Sequence, residues 1–67
     1  MEKMILKVPE MSCMHCVQQI EKALRALDQV QNVEVRLEDK TVHLSAEPVM
    51  REEIIAAIEN IGFDVES

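Results

Sequence analysis

Aromatic and basic residues are both scarce in this chain of 67 residues. Phe63 is its only aromatic residue, which argues against modules that stack nucleic-acid bases on aromatic rings. Seven Lys and Arg residues stand against thirteen Asp and Glu residues, and the formal net charge is −6. A phosphate backbone requires a basic surface, so we expect no nucleic-acid partner. The charge favours partners that are neutral, cationic or locally basic.

Cysteines are few and long apolar runs are absent from the sequence. Two cysteines cannot form the dense disulfide scaffold of many small secreted domains. No apolar run approaches the roughly 18 residues needed to span a membrane, and the first eight residues include Glu2, Lys3 and Lys7 rather than a targeting pattern. We therefore expect one domain over residues 1–67, located in the cytoplasm without membrane insertion, with both thiols reduced.

Hydrophobic periodicity predicts the order strand, helix, strand, strand, helix, strand. Alternating apolar residues predict strands at 3–8, 33–37 and 41–45 and a brief strand over 63–66. Apolar stripes at helical spacing predict helices over about residues 14–27 and 50–60. The compact arrangement of these elements is a ferredoxin-like α+β sandwich, in which two helices cover one face of a four-stranded antiparallel sheet.

Cys13 and Cys16 lie three residues apart where the first strand gives way to the first helix. Ser12 is the predicted N-cap of that helix. The N–H groups and partial positive charge of a helix N-terminus favour thiolate over thiol, and thiolate is the form that binds metals. Two soft thiolates without a fixed third ligand suit a soft ion of low coordination number, and Cu(I) is the biological candidate.

A single CxxC pair is also compatible with other chemistry. It occurs in thioredoxin-like redox proteins, although that fold needs a longer chain. It could supply half of a zinc site that a second subunit completes, because structural zinc prefers four ligands. Attachment of c-type haem is excluded, since Val17 rather than histidine follows Cys16. No set of nucleophile, base and orienting group is recognisable, so we do not expect an enzyme.

Four further residues have expected supporting or neutral roles. His15 stands between the cysteines, and we expect it to tune the local charge rather than to bind the metal. Met11 is expected to anchor the loop as a buried apolar side chain, since methionine fills irregular gaps. Phe63 either packs in the core or reaches the same end of the sheet as the cysteines. His43 falls on the outward alternation of its strand and is expected to be solvated.

The run from Met11 to Cys16 resembles the Met-x-Cys-x-x-Cys motif of the heavy-metal-associated domain family. The resemblance covers essentially the whole chain, including the closing Ile61-Gly62-Phe63. This family includes small bacterial copper chaperones, N-terminal domains of copper-transporting P-type ATPases, and relatives that handle mercury, zinc or cadmium. The resemblance implies that Cys13 and Cys16 are the ligands of Cu(I) or another soft metal. Met11, Ser12, His15 and Phe63 are expected to support the site without binding the metal.

The function implied by the resemblance is that of a Cu(I) metallochaperone. Such a protein passes copper by thiolate exchange to the metal-binding domain of a copper-transporting P-type ATPase or to a copper-responsive regulator. One alternative is the N-terminal metal-binding domain of a heavy-metal-transporting ATPase, or a relative that binds mercury or zinc. An alternative of another class is a small thiol redox protein. We expect a monomer without metal. Two CxxC loops together supply the four thiolates that a metal-bridged homodimer would use.

Three positions are informative in comparison with the family. Glycine usually precedes the motif methionine, whereas this chain has Glu10. Zinc-type relatives often carry an acidic residue directly before the first cysteine, whereas Ser12 resembles the copper group. At the position of Phe63, chaperones frequently carry tyrosine and ATPase domains often carry phenylalanine.

Overall fold

Three strands and two helices follow one another in the predicted order. A computed structural model describes the chain from Met1 to Glu66. The elements are β1 (Glu2–Lys7), α1 (Met14–Arg25), β2 (Gln31–Arg36), β3 (Thr41–Ala46), a single 3-10 turn (Pro48–Met50) and α2 (Arg51–Asn60). The strands form an antiparallel sheet of order β1-β3-β2, so that β3 is central.

The core lies between this sheet and the two helices. Along β3, Val42, Leu44 and Ala46 are buried while the alternate residues are only partly covered, as period-two alternation predicts. The helices contribute Ile20, Leu24, Ile54 and Ile58 to the same apolar cluster. Over the described residues the buried side chains are all hydrophobic. None of the helices between Met1 and Glu66 has the length and apolar character needed to cross a membrane.

The predicted hairpin is formed by β2 and β3. Val35 pairs with Val42, and the connecting turn closes with a hydrogen bond of 3.3 Å from the Lys40 N–H to the Leu37 carbonyl. Lys40 has a φ of 59°, a left-handed conformation that favours glycine or asparagine. The hairpin thus forms although its turn has neither of the residues usual at such a position.

Both helices are shorter than their apolar stripes predict. The Leu27 N–H bonds to the Leu24 carbonyl, a tighter i to i−3 contact that ends the α-helical pattern after Arg25. At the other helix, the Met50 N–H bonds to the Glu47 carbonyl at 2.9 Å. That contact makes the first turn 3-10 in type and delays the start of α2 to Arg51.

The prediction of a four-stranded sheet is wrong, because the last segment forms a single bridge instead of a strand. Lys7 and Glu66 form this bridge, with the Glu66 N–H donating to the Lys7 carbonyl at 2.8 Å. In the antiparallel register of that bridge, Asp64 lies opposite Pro9. Proline has no N–H to donate to the Asp64 carbonyl, so the ladder does not continue there. The Asp64 N–H donates to the Glu10 carboxylate at 2.9 Å.

Candidate metal site

The loop that carries the cysteines begins with a tight turn and a buried anchor. The Met11 N–H donates to the Val8 carbonyl at 3.1 Å, which closes a turn around Pro9 and Glu10. Non-glycine residues with positive φ in the described chain are Asn32 and Lys40, so Glu10 takes an ordinary backbone conformation. Met11 has 0% of its surface exposed. Its side chain belongs to the hydrophobic core at the start of the loop.

Two thiols meet at the start of α1. Cys13 is exposed in the loop and Cys16 is half-buried in the first helical turn, with 3.1 Å between their sulfur atoms. Cys13 is the N-cap residue, and its Sγ accepts a hydrogen bond from the Cys16 N–H at 3.4 Å. The prediction of Ser12 as N-cap is therefore wrong. The helix begins at Met14, one residue too late for a cap at Ser12.

Hydrogen bonds at this helix terminus favour the thiolate of Cys16. Its pKa lies below the usual value of 9.0, chiefly because of a backbone hydrogen bond from Ser12 and secondly because of the Cys13 side chain. Donors that stabilise the anion lower the pKa of a thiol. The geometry therefore supplies a nucleophilic, metal-competent sulfur beside a second thiol that solvent reaches freely.

A sequence model of the heavy-metal-associated domain matches residues 5–64. The chain belongs to the heavy-metal-associated domain family. The resemblance noted from the Met-x-Cys-x-x-Cys run is thus confirmed at the level of the family. The match extends from β1 through the cysteine loop to Asp64, and so covers nearly all of the chain.

Several members of the family resemble this chain over almost their full length. The copper chaperone CopZ of Bacillus subtilis (strain 168) is 43% identical over 67 residues, which cover 97% of each chain. Among solved structures, a CopZ metallochaperone has a TM-score of 0.88 at 34% identity, with 97% of this chain and 100% of that chain covered. A yeast copper transporter domain, Ccc2a, studied in its apo and Cu(I)-loaded states, has a TM-score of 0.86 at 31% identity, with 96% and 90% covered. These likenesses confirm the ferredoxin-like α+β architecture with two helices.

The other residues predicted to support the site differ in their exposure. Ser12 and His15 are exposed, and Phe63 is half-buried and packs against the core. Over residues 1–66, no group of three or more His, Cys, Asp or Glu side chains is arranged to hold a metal ion. The donor set that the geometry offers is therefore the pair Cys13 and Cys16.

His43 is more covered than predicted. It faces away from the helices but is only partly exposed, and its Nδ1 is buried without a hydrogen-bond partner. Its Nε2 lies 3.1 Å from the Thr41 hydroxyl. In the sheet register it stands between Ile5 of β1 and Glu34 of β2. The prediction of a solvated side chain is wrong because β3 is the central strand, flanked on both sides.

Glu10 has a structural role that sequence reasoning did not predict for this heavy-metal-associated domain. Its carboxylate accepts the Asp64 N–H across 54 residues of sequence. The departure from the family's usual glycine marked the position as unusual, but no local pattern indicates a partner so distant in the chain.

Proposed function

We propose that this chain is a metallochaperone that carries a single Cu(I) ion between Cys13 and Cys16. The observation that supports this most directly is the sulfur pair, 3.1 Å apart at a helix N-terminus. The similarity to the Bacillus subtilis protein named as a copper chaperone, at 43% identity, supports copper as the cargo. We further propose that residues 1–67 act as one heavy-metal-associated domain in the reducing cytoplasm, where thiols persist.

The chemistry of the donors favours Cu(I) over harder or higher-coordinate ions. Thiolates are soft ligands that select soft ions, and the lowered pKa of Cys16 increases its thiolate fraction near neutral pH. Structural zinc takes four ligands, whereas the described residues bring two sulfurs together. Mercury and other soft metals share the preference for thiolates, and are the expected competitors of copper at this site.

Transfer to a partner proceeds by ligand exchange. Cys13 is exposed while Cys16 is half-buried, so an incoming thiolate of the partner reaches the metal beside Cys13. The new sulfur–copper bond forms as the bond to Cys13 breaks, and a second exchange then replaces Cys16. Each step exchanges one thiolate for another, and copper remains Cu(I) throughout.

The proposed recipient is the metal-binding domain of a copper-transporting P-type ATPase or a copper-responsive regulator. The structural likeness to the Cu(I)-loaded yeast copper transporter domain supports a recipient of the same fold. That likeness and the half-buried Phe63 also favour a second candidate, namely an N-terminal metal-binding domain of a heavy-metal-transporting ATPase. We propose a monomer when metal is absent, and a metal-bridged homodimer when two loops share an ion.

Titration with Cu(I) under anaerobic, reducing conditions tests the proposal. In competition with a chromophoric Cu(I) chelator, we expect one tightly bound ion per chain. Cys13→Ser and Cys16→Ser should each lose tight binding, while His15→Ala, which changes an exposed neighbour, should retain it. Tight binding in both serine variants would refute the site. Turnover in a disulfide reductase assay would favour the thiol redox alternative.

A further inference from the structure

We propose that Glu10 is a positioning residue that holds the cysteine loop in the geometry that retains Cu(I). Its carboxylate Oε1 accepts the Asp64 N–H at 2.9 Å. The inference rests on the proposed function, and it assigns to this chain a device that a glycine at position 10 could not provide. Glu10 does not touch the metal in this proposal, and it acts through the backbone of the loop.

The hydrogen bond joins two segments that are each anchored in the core. On one side, Glu10 directly precedes the fully buried Met11, and Cys13 follows two residues later. On the other side, Asp64 directly follows Phe63, which packs against the core. Because Glu10 and Asp64 each adjoin a residue that is packed in or against the core, the hydrogen bond between them restrains the turn that precedes the motif.

Backbone pairing alone leaves this junction open. The final segment is joined to β1 by the bridge between Lys7 and Glu66. Because hydrogen-bonded pairs alternate in an antiparallel ladder, the next such pair in that register would be Pro9 with Asp64. Because proline lacks an N–H group, this pair cannot form two reciprocal ladder bonds. The Glu10 side chain provides an acceptor where the ladder stops, and satisfies the Asp64 N–H in place of a strand.

Restraint of the turn bears directly on the thiols. The Cys13 sulfur caps α1 through the Cys16 N–H at 3.4 Å and lies 3.1 Å from the Cys16 sulfur. Cys13 is exposed, so the position of its sulfur depends on the backbone of the loop rather than on surrounding side chains. If the turn were released from Asp64, the Cys13 sulfur would move away from the Cys16 sulfur more often. Cu(I) would then leave the loaded protein faster, and alkylating reagents would react faster with Cys13 in the apo protein.

The test compares Glu10→Ala, Glu10→Gln and the control Glu2→Ala in the full chain. Glutamine keeps a carbonyl acceptor but removes the charge, whereas Glu2→Ala removes a charge at the opposite end of β1. We expect Glu10→Ala to raise the exchange rate of the Asp64 amide, followed by NMR, by about fivefold, the size of one net hydrogen bond. We expect a similar rise in the rate of Cu(I) release to a chelator and in the rate of Cys13 alkylation in the apo protein. Glu10→Gln and Glu2→Ala should match the wild type in all three measurements.

Three results would overturn the inference. An unchanged Asp64 exchange rate in Glu10→Ala would show that the bond contributes nothing in solution. Faster Asp64 exchange with unchanged copper release and thiol alkylation would show that the bond does not position the cysteines. Equal effects of Glu10→Gln and Glu10→Ala would assign the effect to charge. If the wild type binds no Cu(I), the proposed function fails, and the alkylation rates of the apo variants then decide this inference alone.

Discussion

The sulfur of Cys13 accepts a hydrogen bond from the backbone N–H of Cys16 at 3.4 Å. One cysteine side chain therefore caps α1 and also stands beside the second thiol, 3.1 Å away. In most helices the capping acceptor is an oxygen of Ser, Thr, Asp or Asn. Here the same N-terminal geometry that stabilises the helix also brings together the two proposed ligands, so folding of the helix assembles the site.

Because Cys13 has both roles, substitutions at position 13 should affect stability and metal binding differently. Serine is a favoured N-cap and alanine is not, and the difference is typically about 0.5–2 kcal/mol. Because the thiol is a weak acceptor, Cys13→Ser should be at least as stable as the wild type, and Cys13→Ala should be less stable than Cys13→Ser. Both should lose tight Cu(I) binding. Urea unfolding under reducing conditions measures the stability of the variants, and competition with a chelator measures their Cu(I) binding. Equal stability of Cys13→Ser and Cys13→Ala would contradict the capping role.

The buried anchor of the loop predicts a large loss of stability on truncation. Met11 has 0% of its surface exposed, whereas Met14 is 60% exposed on the same loop-to-helix junction. Removing a buried methionine side chain leaves a cavity, and Met11→Ala should cost about 2–5 kcal/mol of unfolding free energy. Met14→Ala is the matched control and should change it by less than about 0.5 kcal/mol. Denaturant unfolding compares them, and similar small losses in both would contradict an anchoring role for Met11.

The local sequence patterns match the structure inside β3 and α1, and they differ from it where an element depends on distant residues. Alternation in β3 and the stripe Val17, Ile20 and Leu24 of α1 predicted which side chains are buried, because these patterns are local. The prediction of a fourth strand was wrong because the residue opposite Asp64 is Pro9, which has no N–H to continue the ladder. Strand register is a long-range property that local patterns do not determine.

The remaining differences also have long-range causes. The coverage of His43 follows from β3 being the central strand, a matter of topology rather than of alternation. The bond between Glu10 and Asp64 joins a side chain to a backbone group 54 residues away. Neither a periodicity nor a motif connects two such positions. The sequence therefore singles out Cys13 and Cys16 as candidate ligands but does not predict the bond between Glu10 and Asp64.

The hairpin turn predicts a gain in stability from glycine. Lys40 has a φ of 59° and Asn32 a φ of 57°, but asparagine tolerates this left-handed region better than lysine. Lys40→Gly should therefore stabilise the protein by about 1 kcal/mol, whereas Asn32→Gly should have a smaller effect. The Lys40 backbone N–H and carbonyl bonds to Leu37 and Val8 do not need its side chain. Thermal unfolding of the two variants compares the effects, and a loss of stability in Lys40→Gly would contradict the prediction.

The pKa of Cys16 predicts the pH dependence of thiol reactivity. That pKa is lowered from 9.0 first by the backbone hydrogen bond from Ser12 and then by the side chain of Cys13. The alkylation rate of Cys16, resolved from Cys13 by peptide mass spectrometry, should therefore reach half of its plateau below pH 9.0. Cys13→Ala removes the second cause and should move this midpoint upwards without restoring the value of an unfolded peptide.

The sign of the linked effect on stability follows from the same shift. A group whose pKa is lower in the folded state than in the unfolded state stabilises the fold above the unfolded pKa. That contribution falls as the pH drops through the folded pKa of Cys16, so the reduced apo protein should gain stability as the pH rises between the two pKa values. Unfolding at a series of pH values, with Cys16→Ser as the variant that lacks the group, isolates the contribution. An alkylation midpoint at or above that of the urea-unfolded chain would show that the hydrogen bonds at the helix start do not favour the thiolate.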